Sequence, residues 1–106
     1  MKLKVLAKTF EVIEVDQIEF GASLLGQIDH VADQIKIYRN MSVQNKKVTL
    51  IHEILHSTFE QMGFNEEHDN EQLIKSLSTA LTQILENNNE LLSFLGLRQS
   101  TPGDSF

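Results

Sequence analysis

The sequence predicts an α+β domain in which a block of strands precedes a block of helices. Three observations carry this. Apolar and polar residues alternate through positions 2 to 38, the period lengthens to helical spacing after Ser42, and it stays helical to the last apolar residues before position 97. The length of 106 residues suits one domain with one core. Residues 1 to 97 are read as that single domain. Residues 98 to 106, polar and carrying Pro102-Gly103, are read as a loose tail.

The elements follow in order. Residues 2 to 15 hold Leu3, Val5, Val12, Ile13 and Val15 interleaved with Lys2, Lys4 and Lys8, the pattern of one long strand bent near Thr9-Phe10, where the alternation changes phase. Residues 16 to 21 read as a connection. A second strand is expected over residues 23 to 29, a turn at His30-Val31-Ala32-Asp33, and a third strand over residues 34 to 38. Their spacing makes the last two a hairpin. The expected sheet therefore has three strands.

Ser42 is a helix N-cap by type and position. Val48, Ile51, Leu55, Thr58 and Met62 then recur at helical spacing, widened by Ile54 and Phe59, and Gly63 is a natural stop. Residues 65 to 70 form a polar, acidic connection. A second helix starts near Asp69, with Leu73, Ile74, Leu77, Ala80, Leu81, Ile84 and Leu85 as its apolar face. It ends at Asn87-Asn88-Asn89, and residues 90 to 97 can add a short helical turn.

Composition narrows function. With no Cys there are no disulfides, no thiolate metal sites and no cysteine nucleophile. A net charge of −6 with scattered Lys argues against a nucleic-acid partner. No apolar run approaches the ~18 residues that cross a bilayer, and the basic residues near the N-terminus are not followed by an unbroken apolar region. A cytoplasmic protein with no membrane partner is expected.

The sharp signal is His52-Glu53-Ile54-Leu55-His56. At about 3.6 residues per turn, residues four apart stack on one helix face, so both imidazoles can reach one metal ion. Zn²⁺ takes neutral imidazole nitrogen at about 2.0–2.1 Å and needs more than two ligands. Glu53 is placed to hold a water on the metal and take its proton. The third ligand has nearby candidates in Glu66, Glu67, His68, Asp69 and Glu71. Glu71 precedes Ile74 by one helical step, so it opens the apolar face of the second helix and should point at the first. A carboxylate at that position also suits a helix N-terminus without any metal. Tyr38, the sole Tyr, is a strand-end residue that could stabilise an oxyanion but more often packs with a wet hydroxyl. His30, Asp29 and Gly26 read as hairpin residues, and Glu66 to Asp69 as a solvated helix approach.

From residue 24 to residue 85 the chain resembles the small, phage- and mobile-element-associated zincin-like metallopeptidases, distantly similar to the ImmA/IrrE-type family. The resemblance rests on Gly26-Gln27-Ile28-Asp29, Gln34-Ile35-Lys36-Ile37-Tyr38, Thr49-Leu50-Ile51-His52-Glu53-Ile54-Leu55-His56, and Glu71 followed by Ile74, Leu77 and Leu81. It implies a minimal zincin-like fold, with a small antiparallel-rich sheet on an active-site helix and a supporting helix. It implies Zn²⁺ held by His52, His56 and Glu71, Glu53 as general base, and a peptide or protein substrate paired along a sheet edge and hydrolysed at a peptide bond. Larger zincins add a second wall to the cleft, which no segment of this sequence is read as supplying. The consequence is a narrow substrate, a site completed by a partner, or no activity. The alternative is a non-catalytic zincin-fold accessory or regulatory binding protein, its metal closed by His68. An oligomeric module packing residues 73 to 85 between chains ranks lower, because the intrachain core needs the same stripe.

Overall fold

The computed structural model describes residues 1–18 and 25–97. Among these residues four strands and four helices follow one another: β1 (Lys2–Val5), β2 (Lys8–Val15), β3 (Gly26–Asp29), β4 (Gln34–Tyr38), α1 (Val43–Gln61), α2 (Asn65–His68), α3 (Glu71–Asn87) and α4 (Asn89–Phe94). This is the α+β order expected, with one strand more. Residues 19 to 24, which include the start of the expected second strand, and residues 98 to 106, the expected tail, lie outside the described residues.

The extra strand comes from the N-terminal segment. Residues 2 to 15 are not one bent strand but an antiparallel hairpin, with Leu3 opposite Phe10 and Val5 opposite Lys8. Its turn passes through Leu6 at φ 53°, a left-handed conformation that turn-forming Gly or Asn usually supplies. Gln61, at the end of α1, braces the turn from outside. Its Nε2 donates to the Val5 carbonyl at 2.8 Å and its Oε1 accepts from the Ala7 N–H at 3.0 Å.

The sheet is mixed, in the order β1-β2-β4-β3. β2 and β4 run parallel in the middle, with Val12 opposite Ile35, while β3 and β4 form the expected antiparallel hairpin. Asp29 sets that hairpin's turn, its Oδ1 accepting from the N–H groups of Val31 and Ala32 at 3.0 and 3.1 Å. One face of the sheet is apolar. Val5, Phe10, Ile35 and Ile37 are buried there, and Leu3, Val12, Ile28, Leu50 and Ile54 pack around them. Period-two alternation places all the strand members on the same side, and Leu50 and Ile54 show that side to be the one α1 covers.

α1 begins where the sequence indicates. The Ser42 hydroxyl accepts from the Asn45 N–H at 3.0 Å. It ends in a Schellman arrangement: Gly63, at φ 80°, donates to the Glu60 carbonyl and Phe64 to the Phe59 carbonyl. The expected polar connection is itself partly helical. α2 completes one turn, and Asn70 caps α3 by accepting from the Leu73 N–H at 3.0 Å. The apolar face expected on α3 needs correction. The buried positions are Ile74, Ser78 and Thr82, four residues apart, whereas Leu81 and Ile84 are exposed. Met62, expected in the α1 stripe, is also exposed. No helix among the described residues is long and apolar enough to cross a membrane.

Candidate metal centre

α1 carries polar side chains on two of its sides. Thr49, Glu53 and Ser57 are buried at four-residue spacing on one. His52 and His56 lie on the next, half-buried, where α2 and α3 approach. The turn of α2 followed at once by the Asn70 cap puts Glu71 at the first position of α3. There its carboxylate meets both rings: His52 Nε2 to Oε2 is 3.1 Å and His56 Nε2 to Oε1 is 2.7 Å. The two Nε2 atoms are 3.2 Å apart. One donor atom from each of His52, His56 and Glu71 falls within 4.8 Å of the others, which makes the three a group able to hold a metal ion.

The donor set fits zinc. With bonds of about 2.0–2.1 Å at tetrahedral angles, donor atoms sit about 3.3–3.4 Å apart. The separations of 3.1 and 3.2 Å are close to this, while His56 Nε2 and Glu71 Oε1 at 2.7 Å are at hydrogen-bond distance and would have to part by about 0.6 Å around an ion. Two imidazoles and a carboxylate, without thiolate, suit Zn²⁺ and other divalent first-row metals. Burial, and then the neighbouring His56, depress the pKa of His52, which favours the neutral ring a metal requires. Glu71 pushes the other way through its charge and its hydrogen bond, and Lys75, one turn beyond it on α3, adds the smallest downward push.

Glu53 follows His52 in sequence and lies one helical step round, on the side of α1 that meets the sheet. It is 8% exposed. Burial first, and the negative charge of Glu71 second, push its pKa up to about 7, and no group lowers it. Its carboxylate lies against β3. A Cβ built on Gly26 would stand 3.3 Å from Glu53 Oε1 and 2.7 Å from the Thr49 methyl. Gly26 is thus required by close approach, because any side chain would hold the sheet edge off the helix that carries Glu53.

Of the sequence candidates, His52, His56 and Glu71 come together and Glu53 lies on the adjoining side of α1. Glu67 and His68 are outside the converging group. His68 instead contacts the far nitrogen of His56, Nδ1 to Nδ1 at 3.2 Å. Tyr38 follows Ile37, whose side chain enters the core on the helix side, so alternation directs the Tyr38 ring to the opposite face of the sheet. His30 stays in its turn, 3.7 Å from Glu60. Sequence reasoning missed two contributors, Lys75 and the close approach of Gly26. The i+4 spacing from Glu71 to Lys75 was a usable signal.

Comparison with known proteins finds no match to a family model, to a curated protein or to a solved structure.

Proposed function

We propose that this protein is a zinc-dependent metallopeptidase of narrow specificity that hydrolyses a peptide bond. The observation that carries the reading is the convergence of His52 Nε2, His56 Nε2 and the Glu71 carboxylate beside a buried Glu53. Bound there, zinc would supply a Lewis acid that polarises a peptide carbonyl and acidifies water. His52 and His56 would hold it through neutral nitrogens, and Glu71 would bring the compensating charge. Burial lifts the Glu53 pKa to about 7 in the metal-free protein; a bound cation would pull it down, leaving a carboxylate able to take a proton from water and return it to the leaving amine.

β3 offers a place for substrate. It is an edge strand, and no strand pairs with its outer side among the described residues. Tyr38 N–H donates to the Leu25 carbonyl at 2.9 Å, so by antiparallel alternation the backbone groups of Gly26 and Ile28 face outward. An extended peptide added there would run past Glu53.

One observation favours a second reading. The Glu71 side chain is 69% exposed. An exposed ligand group with no second wall beside it among the described residues also suits a non-catalytic accessory or regulatory binding protein of the same scaffold, without the closing ligand expected of His68. The Glu53→Gln variant separates the two. Digestion of a peptide library, read by mass spectrometry, should show cleavage by the zinc-loaded parent. The variant should bind zinc equally and cleave about 10²–10⁴-fold more slowly. Equal cleavage by both would remove Glu53 as the base. A zinc-loaded parent that cleaves nothing would favour the binding reading.

A further inference from the structure

His68 occupies a position that neither the metal group nor the core explains. It is the last residue of α2, half-buried, with its ring nearly perpendicular to that of His56 at 85° and their centroids 5.0 Å apart. Its Nδ1 lies 3.2 Å from His56 Nδ1 and 3.1 Å from the His56 carbonyl oxygen. It therefore faces the nitrogen of His56 that is not turned to Glu71.

A neutral imidazole has one proton and one lone pair, on different nitrogens. If His56 Nε2 offers its lone pair to a cation, the proton must sit on Nδ1, where it needs an acceptor. The described neighbour in reach is His68 Nδ1, which accepts when the His68 proton is on its own Nε2. That setting leaves His68 Nδ1 and the His56 carbonyl oxygen, 3.1 Å apart, as two facing acceptors, so the opposite setting suits the metal-free contacts and the first is the one a bound cation selects. With the proton on His68 Nδ1, His68 donates to the His56 carbonyl, and His56 keeps its proton on Nε2, aimed at Glu71 Oε1 at 2.7 Å. Both settings hold two protons and no net charge. The contact between the two rings thus distinguishes a His56 ready to ligate from one that is not.

We infer that His68 is a positioning residue for the metal centre: its Nδ1 accepts the Nδ1 proton of His56, fixing the ring orientation and the tautomer that leaves Nε2 free. This rests on the metal reading above. Groups in this relation to a ligating His change metal affinity by about 10–100-fold when removed.

Three variants test it, read by zinc affinity in competition with a chromophoric chelator and by the absorption spectrum of the cobalt(II) form. His68→Phe keeps the ring volume and removes the acceptor, and should weaken zinc binding about 10–100-fold. His68→Asn places an amide oxygen near the former Nδ1, and should recover most of that loss and the parent cobalt spectrum. His68→Gln places its amide nearer the former Nε2, and should stay as weak as His68→Phe. A purely structural role would not separate Asn from Gln. Zinc affinity unchanged in His68→Phe, or a loss that His68→Asn fails to recover, overturns the inference and leaves the metal reading standing. A parent that binds no zinc overturns both.

Discussion

The two polar sides of α1 are built from the same helix and differ in what the fold does to their charge. On the sheet side, Glu53 lies between Thr49 and Ser57 under the sheet edge, and burial lifts its pKa to about 7. On the α2–α3 side, His52 and His56 meet the carboxylate of Glu71, and burial acts on a base instead, depressing His52. Desolvation disfavours whichever form is charged, so the same helix holds a carboxyl that resists ionisation and an imidazole that resists protonation. A raised pKa makes the Glu53 carboxylate a stronger base once ionised, and a neutral imidazole keeps one lone pair free. One step of about 100° around the helix separates them.

The largest effect should come from removing the charge on the sheet side. Glu53 has a folded pKa raised from 4.5 to about 7. The stability tied to its neutral form is fully present below about pH 4.5 and is lost as pH rises through about 7. Metal-free Glu53→Gln should therefore be more stable than the parent by up to about 3 kcal/mol at pH 8, and equal to it near pH 4. Urea unfolding at the two pH values checks this, and a difference independent of pH would contradict it. His52 carries the opposite sign. Its depressed pKa contributes stability above its ordinary value, lost as pH falls through the lowered one.

Gly26→Ala presses on the same side from the sheet. The new methyl would meet the Thr49 methyl at 2.7 Å and Glu53 at 3.3 Å. A loss of about 1–3 kcal/mol in unfolding free energy is expected, together with weaker hydrolysis but unchanged zinc affinity. Reduced zinc affinity would mean that the two sides are not separate.

Ser57→Ala is milder. Ser57 is buried and its hydroxyl accepts from Gln61 Nε2 at 2.9 Å, but that nitrogen also donates to the Val5 carbonyl. About 0.5–1.5 kcal/mol should be lost, measured by the same unfolding. Smallest of all is Lys75→Gln on the other side, which should raise the His52 pKa slightly, followed by NMR titration of the metal-free protein. A downward shift would place the Lys75 charge elsewhere.

Much of this arrangement was legible in the sequence, because the features that reveal it are local. The stack of His52 on His56, the Ser42 cap, the Gly63 stop and the β3–β4 hairpin each depend on spacing within a few residues. Glu71 was legible as well, through its helical step to Ile74. The missing parts depend on partners far away in sequence. The β1–β2 turn has no Gly or Asn at Leu6 to announce it, and what braces it is Gln61, over fifty positions on. The buried side of α3 uses Ser78 and Thr82, whose hydroxyls bond back to the Lys75 and Ser78 carbonyls of their own helix, so the apolar stripe misjudged which positions are covered. The contact of His68 with His56 requires the turn of α2, which a polar stretch did not signal.

The central claim is that the α2–α3 side of α1 holds a metal. The direct measurement is zinc content after equilibration and gel filtration, by elemental analysis, of the parent beside a His52→Ala, His56→Ala double variant of matched circular dichroism. The account predicts about one equivalent of zinc in the parent and essentially none in the variant. Equal zinc in the two proteins, or none in either, would contradict it.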